Sequence, residues 1–310
     1  MDITKLNFVV LIATLMIASV PIMLAALGEL VVERAGVLNL GVEGMMIIGA
    51  VTGFIAAVET GSPFLGFVGG AVGGGLLALV FAVLTQTLLT NQVATGLALT
   101  LFGQGLSSLL GQNYVGMKPP ATGKIPFGPL ADLPVVGPIL FGHDWVVYFS
   151  ILAIAGVWWV LKATRTGLIL RAVGENHDAA HSLGYNVRLI RLGAILFGGA
   201  MAGIGGAYVS LVRVPQWTDG ITAGAGWIAL AIVVFASWRP WRVMLGSYLF
   251  GGITVLQLNM QAAGSAIPVQ YLSMAPYLIT ILVLVIMSSG KGRASTSAPA
   301  SLGQNFHAMR

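Results

Sequence analysis

Long runs of apolar residues alternate with short polar segments along the whole chain. The uncharged runs lie at 8–27, 45–58, 64–84, 93–110, 145–161, 192–212, 224–238, 243–262 and 274–289. A helix needs about 20 apolar residues to cross a bilayer, and an isolated helix satisfies its own backbone hydrogen bonds in lipid. The pattern therefore predicts an all-α polytopic membrane protein with about nine transmembrane helices, in a range of about eight to ten.

The composition supports this class and excludes others. Only 8% of the 310 residues are charged and 57% are hydrophobic, whereas a soluble domain has about 25% charged residues. An ordinary soluble enzyme and a nucleic-acid-binding protein are therefore excluded, because a net charge of +5 on this chain makes no dense basic patch. The chain has no Cys, so it has neither disulfides nor thiolate metal sites.

The cationic residues indicate the orientation. Ten of the 15 Lys and Arg residues lie in the segments 162–191, 239–242 and 291–310. Loops poor in these residues alternate with them, among them a long loop at 111–144. The positive-inside rule then places the three basic segments in the cytoplasm and the loop 111–144 outside.

The N-terminal region leaves two arrangements open. The run 8–27 is longer than the core of a typical signal peptide, so it is interpreted as a true span. Counting back from the basic loops places the segment 28–43 in the cytoplasm and the N-terminus outside. Alternatively, 28–44 is a broken segment embedded in the membrane, which gives ten crossings with both ends inside.

The loop 162–191 contains the signals of a short surface helix. Asn176 is a good N-cap residue, Asp178 suits the positive end of a helix, and Gly184 suits the left-handed residue that follows one. These signals predict a helix at about 177–183 that projects into the cytoplasm. The loop is either a mere connector between spans or a docking element for a cytoplasmic partner, and its length of about 30 residues, more than a connector needs, favours docking.

Two histidines in this helix resemble half of a zinc motif. His177 and His181 are four residues apart, as in the metalloprotease motif H-E-x-x-H, but Asp178 replaces the Glu. No third ligand is evident, so both histidines are predicted to be surface residues.

Charged and amide residues within apolar surroundings are the candidates for a transport pathway. Ionisable groups at membrane depth are costly and indicate function. Glu29, Glu33 and Arg34 are interpreted as residues of a solvated loop. Asn39 and Glu43, which lie between glycines, are interpreted as residues that line or gate the pathway.

Later in the chain, Trp227 and the amides Gln257 and Gln261 would suit a planar ligand. The alternatives are that the tryptophans Trp217 and Trp227 belong to an interfacial belt, and that the amides, like Gln104, bond to neighbouring helices. Glycine-rich faces at 64–84 and 192–212 predict close helix crossings.

Several motifs together resemble a known family. They are ERAGVLNLGVEG at 33–44, RAVGENHDAA at 171–180, LGYNV at 183–187, GAGWIALA at 224–231 and WRP at 238–240. They are similar to signatures of ABC-importer permeases of the branched-chain amino acid and simple-sugar superfamily, and most like the nucleoside branch. The resemblance covers about residues 20–288. The family commonly has a Pro where this chain has His177.

The resemblance implies a transmembrane permease domain at 1–290, with a coupling loop at 162–191 and an outer loop at 111–144, and a flexible cytoplasmic tail at 291–310. It implies a bacterial cytoplasmic membrane location and a non-enzymatic chain without a cofactor of its own. Its partners would be a second, related permease, ATPase subunits that bind ATP and Mg, an extracytoplasmic solute-binding protein and membrane lipid, but no nucleic acid.

The implied solute is a nucleoside. Riboflavin or another vitamin, a simple sugar and a branched-chain amino acid are alternatives, and a transporter driven by an ion gradient is a more distant one. The predicted pathway residues are Asn39, Glu43, Trp227, Gln257 and Gln261. In the coupling helix, Arg171 and Glu175 would make polar contacts with the ATPase, and Ala179, Ala180 and Leu183 would pack into its groove. The full set of coupling residues is Arg171, Gly174, Glu175, Asn176, Ala179, Ala180, Leu183 and Gly184.

Overall fold

A computed structural model of the chain describes residues 8–262 and 298–307, together with 268, 270, 271, 274, 275, 278, 281, 282 and 285. The α-helices in 8–262 are α1 (Phe8–Arg34), α2 (Val42–Thr60), α3 (Pro63–Ala82), α4 (Gln92–Gly111), α5 (Trp145–Ala163), α6 (Arg165–Glu175), α7 (His177–Ser182), α8 (Val187–Tyr208), α9 (Ala225–Phe235) and α10 (Pro240–Ala262). Short π-helical turns extend α3 through Thr87 and α8 through Arg213.

The predicted all-α membrane fold is confirmed. Within the described residues, seven helices are long and apolar enough to cross a membrane: α1 to α5, α8 and α10. The helix α9 has only 11 residues and is therefore roughly 16 Å long, about half of a span. Most of the predicted span 274–289 lies outside the described residues.

The helix ends gather at two opposite faces of the bundle. At one face, the Arg34 guanidinium donates to the carbonyl oxygen of Trp238 at 3.1 Å, and the Ser301 amide donates to that of Gly174 at 2.9 Å. At the other face, the Tyr114 hydroxyl donates to Glu59 at 2.7 Å. Segments from the three regions predicted to be cytoplasmic thus lie at one end, which we call the cytoplasmic face.

Glycines bring α2, α3 and α8 into backbone contact. A Cβ added to Gly49 of α2 would overlap the backbone of Gly203 in α8, and a Cβ on Gly74 of α3 would overlap that of Gly199. Without a side chain at these positions the helices pack by direct van der Waals contact, which drives association in lipid. The predicted close crossings at 64–84 and 192–212 are confirmed.

The chain breaks between α1 and α2. The helix α1 continues through Glu29 to Arg34, and the irregular residues 35–41 that follow are mostly buried. Gly44, in the first turn of α2, packs against Thr100 of α4, which is roughly 12 Å into the bundle from the start of α4 at Gln92. The helix α2 therefore begins at membrane depth.

The sequence left two arrangements open, one with the N-terminus outside and one with a broken segment embedded in the membrane at 28–44. The structure has features of both. A buried break exists, but it spans 35–41 and not 28–44. The helix α1 crosses once, antiparallel to α8, because Gly28 faces Gly198 and Gly205 faces Pro21. The start of α1 therefore lies at the outer face.

Candidate functional site

The carboxylate of Glu43 is the centre of a buried polar cluster at membrane depth. It accepts hydrogen bonds from the Thr222 hydroxyl at 2.5 Å, from the Gly224 amide at 3.0 Å and from the Gly226 amide at 2.7 Å. We call these four residues the Glu43 cluster. They join the first turn of α2 to the start of α9, and a negative charge at a helix N-terminus is favourable.

The backbones in this cluster touch. A Cβ added to Gly226 would lie 2.5 Å from the Cα of Glu43, a distance that real contacts do not show. Gly224 has a φ of +83°, a conformation that glycine adopts without steric cost. The glycines of the motif at 224–231 thus permit the contact, and Glu43 satisfies amides that the short helix would otherwise leave unpaired.

Asn39 shapes the break before α2. The backbone N–H of Asn39 donates to Oε1 of Glu29 at 3.2 Å. Its side-chain Oδ1 accepts from the backbone N–H of Gly41 at 2.9 Å. Asn39 and Glu43 are both at most 2% exposed. The two residues predicted to line the pathway are thus buried here, with their polar atoms bonded within the chain.

Glu29 and Glu33 do not lie in a solvated loop, contrary to the sequence interpretation. Both are buried in α1, and Oε2 of Glu33 accepts from the indole nitrogen of Trp238 at 2.5 Å. Ser237 and Trp238 have φ values of +49° and +55°, which are unusual for residues other than glycine. The end of α1 therefore holds the sharp turn between α9 and α10.

The remaining pathway candidates are separate from one another. Trp227 is 38% exposed in the first turn of α9, at membrane depth. Gln257 and Gln261 are half-buried near the end of α10, roughly 25 to 30 Å from its cytoplasmic start. Trp217 is 1% exposed and packs against Gly111, so it is not an exposed belt residue. Gln104 is exposed on α4.

The helix predicted at 177–183 is confirmed as α7, at 177–182. Oδ1 of Asn176 accepts from the Ala179 amide at 2.9 Å, as an N-cap does. Gly184 has a φ of +88° and ends the helix as expected. Local chemistry therefore defines both ends of this element.

The outward side of α7 differs in part from the prediction. Leu183 is 77% exposed, and Glu175 and Ala179 are also exposed, whereas Arg171 is half-buried. Ala180 is only 2% exposed and packs with Val173 inside the chain, so the prediction that it packs into a partner's groove does not fit this structure. Gly174 is buried as well, against the carbonyl of Arg34.

A buried arginine connects α7 to the rest of the bundle. Arg191 is 0% exposed. Its guanidinium donates to the carbonyl oxygens of Ala35 at 3.1 Å and Gln304 at 2.9 Å, and Nη2 lies 3.3 Å from Nδ1 of His177. We call these four residues the Arg191 cluster. The acceptors are neutral, so the charge is compensated by charge-assisted hydrogen bonds.

His177 is not a surface residue, contrary to the prediction. Its side chain is buried, and burial together with the Arg191 charge lowers the pKa of His177. The neutral ring can then accept a hydrogen bond from Arg191. His181 is exposed on α7, as predicted.

The tail segment 298–307 covers this cluster. The Gly303 amide donates to the carbonyl of Gly36 at 3.2 Å. The ring of Phe306 packs edge-on against the rings of His177 and His181, with centroids 5.5 and 5.2 Å apart. The sequence predicts a flexible tail at 291–310, but these residues are packed. Phe306, a lone aromatic among polar residues, was the signal that sequence reasoning missed.

The buried charged groups of the site form hydrogen bonds between distant segments of the chain. In the part of the chain that the structure describes, no three His, Asp or Glu side chains are grouped so that they could hold a metal ion. Arg191 joins α7, the break and the tail, and Glu43 joins the first turn of α2 to the start of α9.

These features define a polytopic membrane protein with buried polar contacts between its helices. The chain matches the family described as "Branched-chain amino acid transport system / permease component" over residues 11–287. It therefore belongs to this family of ABC transporter permeases, as its motifs predict. Such a permease is the non-catalytic, multi-pass membrane component, and it works with ATPase and binding-protein partners.

Three relatives show the range within the family. The putative glucose ABC transporter permease protein TsgC13 of Haloferax volcanii is 40% identical, over 95% of this chain and 96% of the relative. The nucleoside ABC transporter permease protein NupC of Lactococcus lactis is 33% identical, over 96% of each chain. The guanosine ABC transporter permease protein NupQ of Bacillus subtilis is 33% identical, over 92% of this chain and 93% of the relative.

Proposed function

We propose that this chain is the permease subunit of an ATP-driven, binding-protein-dependent importer in a bacterial cytoplasmic membrane, and that α7 is its contact with the ATPase. The observation that carries the proposal is the capped helix α7 at the cytoplasmic face. Leu183, which directly follows this helix, is 77% exposed. Tyr185 and Leu189, which follow Leu183 closely along the chain, are also exposed, and a group of exposed apolar side chains suits a contact with a partner.

The route from α7 into the membrane supports a coupling role. His177 of α7 contacts Arg191, and Arg191 donates to the carbonyl of Ala35 at the start of the break. The break leads through Asn39 to Glu43, which is bonded to the first residues of α9. A movement of α7 driven by the ATPase would therefore tilt the start of α9, where Trp227 lies.

A single substitution tests the docking surface. Leu183→Asp should abolish most of the association with the ATPase subunits and most solute-stimulated ATP hydrolysis, because it places a charge in an apolar contact. The matched control is Leu88→Asp, since Leu88 is 64% exposed in the turn between α3 and α4 at the same face. Co-purification of the ATPase with both variants is the measurement. Equal association would contradict the docking role.

For the solute we propose a nucleoside. The relatives named for nucleoside and guanosine transport support this choice, since each aligns over more than nine-tenths of the chain. An exposed indole at membrane depth would also stack on a base. Glucose is the second candidate, because the relative that is 40% identical is named for glucose.

Uptake by cells that lack this chain separates the two solutes. Labelled guanosine and labelled glucose are supplied to the deletion strain and to the strain with the chain restored. Restored guanosine uptake that excess unlabelled glucose does not reduce would support the nucleoside. Restored glucose uptake alone would replace it with the sugar.

We further propose that a second, related permease completes the pathway. Trp227 is partly exposed, and Gln257 and Gln261 are half-buried, in this single chain. A pathway between two chains would cover all three. Trp227→Ala should then lower uptake without loss of ATPase association. Two differently tagged copies of this chain that purify together without another permease would indicate a homodimer instead.

A further inference from the structure

A cationic cavity opens at the cytoplasmic face, apart from α7. It has a volume of about 550 Å³ and lies between the ends of α1 and α5, the helix α6 and the turn before α10. Among the described residues that line it, five are cationic and none is acidic; the five are Arg34, Lys162, Arg171, Arg239 and Arg242. Like charges concentrated in one cavity repel each other, so a bound anion would stabilise them.

The framework of this cavity is firmly held. Nε and Nη2 of Arg34 both donate to the carbonyl of Trp238, at 3.3 and 3.1 Å. The indole of Trp238 is in turn bonded to Glu33. The turn that carries Arg239, and the first turn of α10 with Arg242, are therefore fixed relative to α1, and the fold brings the cationic groups together.

Tryptophans mark the depth of the cavity. Trp158 and Trp241 lie at its edge with ring centroids 6.2 Å apart, and they are 38% and 41% exposed. The ammonium of Lys162 lies 5.0 Å from the Trp158 ring centroid. Exposed tryptophans beside Lys and Arg are typical of the headgroup level of a membrane.

An apolar cleft begins beside the cationic cavity. It has a volume of about 560 Å³ and lies between α1, α5, α6 and α8. Leu161 lines both spaces, and Leu170 of the cleft is the neighbour of Arg171 in the cavity. Phe149 and Phe197 line the cleft further along α5 and α8. A charged space and an apolar space that meet at one residue match the two parts of a phospholipid.

We propose that this cavity binds the phosphate headgroup of an anionic phospholipid of the inner leaflet, and that the adjacent cleft takes one of its acyl chains. Basic pockets between membrane helices at the cytoplasmic side are suited to such headgroups. The site assigns Arg171 to lipid, in place of the ATPase contact that the sequence predicts. Because α6 leads directly into α7, a bound lipid would stabilise the base of the coupling helix.

Lipid retention by the purified transporter tests the proposal. The complete transporter is equilibrated in detergent with equal amounts of phosphatidylglycerol and phosphatidylcholine, and bound lipid is identified by native mass spectrometry. We expect preferential retention of phosphatidylglycerol, reduced about tenfold in the double variant Arg239→Gln/Arg242→Gln. The matched control is Arg165→Gln/Arg188→Gln, which removes two exposed charges of the same face outside the cavity. Lys162→Gln, at an exposed position, replaces the double variant if that variant does not assemble.

Four results would overturn the proposal. The first is equal retention of both lipids by the wild type, and the second is unchanged retention in the cavity variants. The third is loss of the bound lipid on addition of excess inorganic phosphate, which would indicate a site for free phosphate. The fourth is unchanged lipid with loss of the ATPase subunits, which would indicate that an acidic protein surface binds here.

Discussion

The Glu43 and Arg191 clusters each bury one charge among neutral partners, but they differ in how they can open. Glu43 lies against the backbone of Gly226, so the two elements that it joins cannot separate without breaking close backbone packing. Arg191 reaches its partners through a long side chain, and one of them, Gln304, belongs to the surface tail. The Glu43 cluster therefore holds α2 and α9 together permanently, whereas the hydrogen bonds of Arg191 to the tail can break while the bundle stays folded.

Removal of the Glu43 carboxylate should have the largest effect. Glu43→Ala leaves the Thr222 hydroxyl and two backbone amides without their acceptor, at a cost of about 3 to 5 kcal/mol. We expect loss of most folded protein, measured by size-exclusion chromatography in detergent. Glu59→Ala is the control, since Glu59 is near the end of the same helix in an exposed position, where water can replace its hydrogen bond with Tyr114. Normal folding of Glu43→Ala would show that the contact between α2 and α9 does not depend on this carboxylate.

Arg191→Met should have a smaller effect. It leaves the carbonyls of Ala35 and Gln304 without their donor, at a cost of about 2 to 3 kcal/mol, while the methionine still fills the space. We expect a folded protein with a lower melting temperature and a tail that is cleaved faster by protease. Arg188→Met, an exposed position one turn earlier, should change neither property. A tail that stays resistant to protease in Arg191→Met would contradict the idea that Arg191 holds the tail on the bundle.

Phe306→Ala should release the tail with less effect on the bundle. It removes the aromatic contact with His177 and His181, worth about 2 kcal/mol or less. The chain has no Cys, so spin labels can be attached at Ser182→Cys and Gln304→Cys, both at exposed positions. The distance between the labels should broaden and lengthen in Phe306→Ala. Leu302→Ala, a partly buried position in the same tail, shows whether any apolar loss has this effect.

Acid should produce the smallest change, which we expect in the Arg191 cluster. Burial and the Arg191 charge lower the pKa of His177, the nearby His307 adds to this, and Asp178 opposes it. The unfolded chain therefore binds the proton more readily. The contribution of neutral His177 is complete above the ordinary histidine pKa of about 6.5, and it is lost as the pH falls toward the lower pKa of the folded state.

The same spin-label pair measures this effect. The label distance in the wild type should be constant above about pH 6.5 and should lengthen as the pH falls below it, and His177→Gln should remove the dependence. A pH-dependent distance that persists in His177→Gln would assign the titration to another group.

The sequence predicts those features that local rules determine. The spans follow from apolar runs, the ends of α7 follow from Asn176 and Gly184, and the close crossings follow from glycine spacing. The bounds of α9 could not be predicted in this way. The apolar run at 224–238 is long enough to suggest a span, but only Ala225–Phe235 is an α-helix. Hydropathy alone does not distinguish a whole span from a half.

The contacts between residues far apart in the chain could not be predicted from the sequence. Glu43 meets Gly226 across 183 positions, and the residue type alone does not distinguish a buried joint from a pathway residue. The burial of Ala180 and His177 depends on Phe306 in the tail, and a polar segment of that length has no periodicity that predicts packing. A helix face can be assigned as inward or outward only when its covering segment is known.

The glycine contacts of α8 also affect how the protein is made. The groove between α2 and α3 is complete when Ala82 has been synthesised, but the helix that fills it starts at Val187, roughly 100 residues later. At ordinary rates of translation this interval lasts about 5 to 20 seconds. During that time the bare glycine backbones face lipid or the insertion machinery. The order of synthesis thus leaves the centre of the bundle unfinished until more than half of the chain has been made.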